Sequence, residues 1–199
     1  MNFLAHIYLS GENDQIKVGN FIGDWIKGNE HKKYPADIQK GILMHRSIDS
    51  FTDNHPIVKQ SKSRLNDMYH KYSGIIIDIF YDHFLAHNWH VFSEIELVDF
   101  TRDLNNCLVA NMSYLPVDLQ EFIPRFMKRR WIESYATLEG IEHVLEGMSK
   151  HTSLPDRTRD AISVLKNDYE AFNTEFFDYF PQLVAHVEDK FEIAIKRLT

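Results

Sequence analysis

The stretch Gly74-Ile75-Ile76-Ile77-Asp78-Ile79-Phe80-Tyr81-Asp82-His83-Phe84-Leu85-Ala86-His87-Asn88-Trp89 decides the fold class. Wound as a helix, it carries apolar side chains on nearly every side, the pattern of a helix buried at the centre of a bundle. On its N-terminal side, Ile38, Ile42, His45, Ile48 and Asp49 predict a second helix, entered at Pro35 and running toward Pro56, since proline is tolerated in a first turn. Val18, Phe21, Ile22, Trp25 and Ile26 recur at i, i+3, i+4, i+7 and i+8, predicting a helix that Gly28-Asn29 stops. On the C-terminal side, Trp131 to Met148 and Asp156 to about Phe180 read as helical. Phe180-Pro181 should then interrupt before a last helix through Leu183 to Ile195. No stretch alternates as a strand, and no Ser- or Gly-rich linker marks a boundary. The expected fold is all-α, a single compact helical bundle over residues 1–199.

Bulk properties narrow the class. With Cys107 as the sole cysteine, no intrachain disulfide can form, which suits a reducing compartment and a buried, inert thiol. The opening Met1-Asn2-Phe3-Leu4-Ala5-His6 lacks the basic region and long apolar run of a secretory signal, and no later run approaches membrane-spanning length. A cytoplasmic protein without a membrane partner is expected. The formal charge of −7 argues against nonspecific nucleic-acid binding, which draws on cationic phosphate contacts.

Polar residues on apolar faces are the informative ones. Ile38, Ile42, His45, Asp49 and Thr52 fall on one helical stripe, so the core-facing side of the second helix turns polar. A buried carboxylate is costly unless paired, hydrogen-bonded or metal-bound. For Asp49, an ion pair with Arg46 and a metal or catalytic role are both open. The third helix repeats the pattern, with Asp78 and Asp82 one turn apart on one face and His83 and His87 on another. Carboxylates at i and i+4 can share a hard cation, and His-x3-His can chelate a transition metal. Asp24 sits on the flank of the first stripe, and His6 lies in an apolar segment where a satisfied core histidine is the commoner outcome.

Taken in order, Asn2-Phe3-Leu4-Ala5-His6, Gly19-Asn20-Phe21-Ile22-Gly23-Asp24 with Lys27-Gly28, Gly41-Ile42 with His45-Arg46-Ser47-Ile48-Asp49, and Phe51-Thr52-Asp53 resemble the acyl carrier protein phosphodiesterases. Asp78, Asp82-His83-Phe84-Leu85 with Trp89, and Phe177 with Tyr179-Phe180-Pro181 extend the resemblance over essentially the whole chain. It implies a distant relative of the HD-type phosphohydrolases, dependent on manganese. Such an enzyme hydrolyses the phosphodiester between 4′-phosphopantetheine and a carrier-protein serine. His87 matches no motif position and is left out of the site.

With that resemblance, His45, Asp49 and Asp82, joined by Asp24, are expected to hold Mn²⁺, with Mg²⁺ or another divalent cation as alternatives. Arg46 would clamp the phosphate. His83 or His6 would orient water or protonate the leaving serine, and Asp53 and Asp78 would orient the ligands from behind. Because carrier proteins are acidic and this chain is net negative, recognition should be local, through Lys27 near Asp24 or through Arg129 and Arg130 beside Trp131. Two other readings stand beside this one: an HD-like phosphohydrolase of a nucleotide or other small phosphoester, and a noncatalytic helical interaction protein whose polar residues form a structural network.

Overall fold

The computed structural model describes residues 2–196, apart from the side chain of His151; of the expected 1–199 span, Met1 and 197–199 lie outside the described residues. Its longer helices are α1 (Phe3–Tyr8), α2 (Asp14–Phe21), α3 (Ala36–Asn54), α4 (Pro56–Ser63) and α5 (Ser73–His87). They continue with α6 (Leu97–Ala110), α7 (Val117–Lys128), α8 (Leu138–His151), α9 (Thr158–Asn167) and α10 (Tyr169–Phe191). No strand occurs among the described residues, in agreement with the all-α expectation.

The stretch that decided the fold class is α5, and its Ile76, Ile77, Ile79, Phe80, Tyr81, Phe84 and Leu85 are fully buried. They belong to one continuous core that also takes in Leu4 of α1, Ile42 of α3 and Phe176 of α10. One buried polar cluster in this core is well paired. Glu175 of α10 receives two hydrogen bonds from Arg64, at 2.8 and 2.7 Å, and others from Gln60 and Ser61. Ser61 in turn meets the Tyr81 hydroxyl at 2.7 Å, so α4, α5 and α10 share one satisfied network. Cys107 is buried, and burial pushes its thiol up to about 12, leaving it unreactive.

Several boundaries differ from expectation for identifiable reasons. The first predicted helix ends at Phe21 and gives way to a 3₁₀ turn at Gly23–Trp25. A Cβ on Gly23 would stand 2.2 Å from Cγ of His45, so the chain is shaped around that imidazole. The 131–148 segment is broken at Thr137, whose side chain accepts from the Gly140 amide and starts α8 afresh. A break at Asp168 divides the 156–180 segment. Pro181, expected to interrupt, lies inside α10 on its exposed side, where the carbonyl it leaves without an amide partner is open to hydration. The helix then ends at Phe191, short of Ile195.

The approach that positions the functional region is α2 against α3. A Cβ on Gly19 would lie 2.1 Å from the Ile38 carbonyl oxygen, and one on Gly41 would lie 2.2 Å from that of Ile16. The two backbones therefore touch where only glycine fits. Gly41→Ala should cost about 1–3 kcal/mol, because backbone rather than a flexible side chain must yield. Calorimetry should show a Tm several degrees lower, whereas an unchanged Tm would mean that the helices can separate freely.

Candidate active site

α1 is too short to stand alone, and its exposed amides are met from two sides. The Asn2 side chain accepts from Phe3 N at 2.9 Å, while Asp82, fully buried in α5, accepts from Leu4 N at 2.8 Å and Ala5 N at 3.2 Å. This fixes α1 over α5 and presents His6 to α3. There the His6 and His45 rings stack with centroids 4.1 Å apart and planes 17° from parallel.

Both imidazoles are oriented by Asn20. His6 Nδ1 lies 2.8 Å from Asn20 Oδ1, and His45 Nδ1 lies 2.8 Å from the Asn20 carbonyl. The amide's own orientation is set by Asn20 Nδ2, which donates to the His6 carbonyl and to Ser10 Oγ at 2.8 and 2.9 Å. Each Nδ1 therefore carries the hydrogen, and each Nε2 is left to face the carboxylates. His6 Nε2 is 3.2 Å from Asp49 Oδ1; His45 Nε2 is 3.1 Å from Asp49 Oδ2 and 3.3 Å from Asp24 Oδ1.

The electrostatics follow from that geometry. Burial, reinforced by the neighbouring His45, pulls the His6 imidazole down to about 4. Burial also opposes charge on His45, but the Asp24 and Asp49 carboxylates close to its Nε2 outweigh it and raise that imidazole to about 9. Asp24 is held below its usual value by His45. Asp49, though burial opposes, is held well below it by the two imidazoles.

This donor set fits a divalent cation. His45 Nε2 is buried and has no hydrogen-bond partner of good geometry, a state that a metal ligand explains. One ligand atom each from His6, His45 and Asp49 lies within 4.8 Å of the others. Ligands about 2.1 Å from an ion and at right angles lie about 3.0 Å apart, close to the spacings observed. Two imidazole nitrogens with carboxylate oxygens make a mixed nitrogen and oxygen donor set of the kind that divalent transition metals accept.

Asp49 and Asp24 open onto a cleft of about 410 Å³ lined also by Asn2, Thr52, Asp53, Asp78, Lys62, Lys71, Ile75 and Met148. The structure thus brings His6, Asp24, His45 and Asp49 together and places Asp53 and Asp78 on the same cleft. Asp53 lies 3.4 Å from Lys62. Asp78, on α5, has its carboxyl pushed up by burial.

Three expected members are elsewhere. Asp82 uses both oxygens on α1, so it anchors His6 rather than joining the donor set; burial raises its carboxyl to about 7 although the two amides pull it down. His83 is engaged by the Tyr135 carbonyl at Nδ1, 2.8 Å, and the Tyr169 hydroxyl at Nε2, 2.9 Å, outside the cluster. Arg46, one residue past His45 and so turned off the ligand face, donates to the Ile26 carbonyl at 2.8 Å and braces the turn that carries Asp24. Lys27 is exposed and donates to the Asp24 carbonyl. Arg129 and Arg130 are exposed at the end of α7, whose Phe126 packs on Phe3 and Phe21. Sequence reasoning missed Asn20, Lys62 and Lys71. Asn20 sat within a quoted motif, and its signal was an amide on a buried helix face beside glycines.

Comparison with known proteins agrees over the whole length. A family model described as acyl carrier protein phosphodiesterase matches residues 1–183. The acyl carrier protein phosphodiesterase of Enterobacter sp. (strain 638) is 33% identical over 194 residues, covering 96% of this chain and 99% of that protein. Those of Yersinia pestis and Photorhabdus laumondii are 30% and 31% identical over 191 residues, covering 96% of this chain and 99% and 96% of theirs. No solved structure matches the chain significantly.

Proposed function

The chain belongs to the acyl carrier protein phosphodiesterase family, and on that premise we propose that it hydrolyses the phosphodiester joining 4′-phosphopantetheine to the serine of a holo-carrier protein, with Mn²⁺ as cofactor. The observation that carries this reading is the pair of imidazole Nε2 atoms that meet Asp49, with Asp24 beside His45, where both carboxylates line an open cleft. Four carboxylates line that cleft against two lysines. An anionic diester is disfavoured there unless a cation offsets the charge.

His6, His45, Asp49 and Asp24 would hold the ion, which supplies acidity to a water molecule and polarises a phosphoryl oxygen. Asn20 keeps both imidazoles in the tautomer that this requires. Asp82 holds α1, and with it His6, against the bundle. A water oxygen bonds to phosphorus as the phosphorus–serine oxygen bond breaks; the water gives up one proton and the departing serine oxygen takes one, so the step is balanced without any other reactant. Asp78 lines the same cleft as Asp49 and Asp24, and burial pushes its carboxyl up. Arg129 and Arg130 are the basic contact for the acidic partner.

Mass spectrometry of holo-carrier protein incubated with the protein tests the reading. Loss of the phosphopantetheine mass is expected with Mn²⁺ and not with chelator, while intact holo-protein under both conditions would overturn the substrate. Metal binding also requires His45 to lose its proton. Since its affinity for that proton is raised to about 9, the apparent Mn²⁺ affinity should climb as pH rises toward that value, with proton release detectable by calorimetry in paired buffers. An affinity that does not change between pH 6.5 and 8.5 would remove His45 from the ligand set.

A further inference from the structure

A phosphate ester brought to the imidazole–carboxylate cluster needs cationic partners beyond the metal. The arginine expected to supply one is engaged by the Ile26 carbonyl, and Lys27 is engaged by the Asp24 carbonyl; neither lines the cleft. The cations that do line it are Lys62, in the last turn of α4, and Lys71, in the 3₁₀ turn His70–Tyr72 that leads into α5. Lys62 Nζ lies 3.4 Å from Asp53 Oδ1, beside Gly74. Lys71 is exposed and makes no ion pair among the described residues, its Nζ standing 5.0 Å from the Tyr72 ring centroid.

The backbone around Lys71 has an unusual conformation. His70 adopts φ 47° and ψ −120°, a region that favours glycine, and Ser73 Oγ locks the turn by donating to the His70 carbonyl at 2.8 Å. The turn sends the chain into α5 with Lys71 on the wall that also bears Asp78, Ile75 and Met148.

We propose that Lys62 and Lys71 form the phosphoryl-anion subsite of this cleft, binding the non-bridging oxygens of the phosphate ester in the space that Asp49 and Asp24 also line. The inference rests on the phosphodiesterase reading for its substrate, but not for its anion. Ammonium groups act here as point charges for a phosphoryl group, and Ile75 and Met148 give the neighbouring wall an apolar surface for the rest of the ester.

The test is calorimetric binding of inorganic phosphate and of 4′-phosphopantetheine to the full chain, each measured with and without Mn²⁺. It compares wild type with Lys62→Ala, Lys71→Ala, the double variant and Lys71→Arg. The double variant should bind both anions about tenfold or more weakly, and Lys71→Arg should retain most of the affinity, while Mn²⁺ affinity and Tm stay at wild-type values. Undiminished anion binding by the folded double variant overturns the subsite, as does a wild-type protein that binds neither anion. A rise in KM for carrier protein with unchanged anion binding also overturns it, placing the lysines against the partner's acidic surface instead. Holo-carrier cleavage measured in parallel separates the two claims. Lysine-dependent anion binding without cleavage sinks the substrate reading and leaves the subsite standing; cleavage with lysine-independent binding does the reverse.

Discussion

Asp49→Ala should yield a folded protein that has lost Mn²⁺ binding and has activity reduced on the order of 10³-fold. Asp49 meets both imidazoles, through Oδ1 to His6 and Oδ2 to His45. Its removal therefore breaks the donor set at its centre rather than at its edge. The fold should survive because Asp49 is partly exposed, with 39% of its side-chain surface open, and α1 is also held by Asp82. Loss of its negative charge also withdraws one of the two carboxylates that favour a protonated His45, the other being Asp24. Circular dichroism and Tm measured beside the holo-carrier assay decide the matter. Wild-type-like activity would remove the cluster from the mechanism, while unfolding would favour a structural polar network, the noncatalytic reading.

Asn20→Leu should weaken Mn²⁺ binding about 10- to 100-fold, the usual cost of removing a group that orients a metal ligand. The side chain fixes His6 by accepting from its Nδ1, whereas His45 is held by the Asn20 backbone carbonyl and keeps its bond whatever side chain follows. The damage should thus be selective. In ¹⁵N spectra the His6 tautomer should become mixed while that of His45 is retained. Because Asn20 is fully buried among paired polar atoms, Asn20→Asp serves as the conservative companion. It preserves an acceptor for His6 and should bind metal more tightly than the leucine variant if it folds. Equal metal affinity in wild type and Asn20→Leu would show that His6 needs no such orientation.

Both effects arise from a site assembled on three segments that are distant in sequence. His45 and Asp49 were legible in advance because they share a stripe of one amphipathic helix, four residues apart, and helical periodicity is local. Their odds of a role beyond a structural ion pair were not legible, since the partner that matters is His6 rather than Arg46. Asp82 and His83 were misplaced for the same reason. A polar side chain in a buried helix announces that it must have a partner, but not which one. Asp82 found the amides of α1, and His83 found Tyr135 and Tyr169. Pro181 shows the converse, a strong local breaker that a long packed helix accommodates on its exposed face.

By itself the sequence determined the all-helical class, the burial of α5, the extent of α3 and the resemblance that runs through the chain. These are encoded in periodicity and in short ordered motifs, which need no knowledge of what lies across the core. The tertiary structure decided which polar residues meet. Contact between Gly19 and Gly41 brings Asn20 to His45, and Asp82 docks α1 so that His6 stacks on the same imidazole. Hydrogen bonds and ligand sets depend on ångström-scale distances between segments, and those distances are fixed only when the backbones pack.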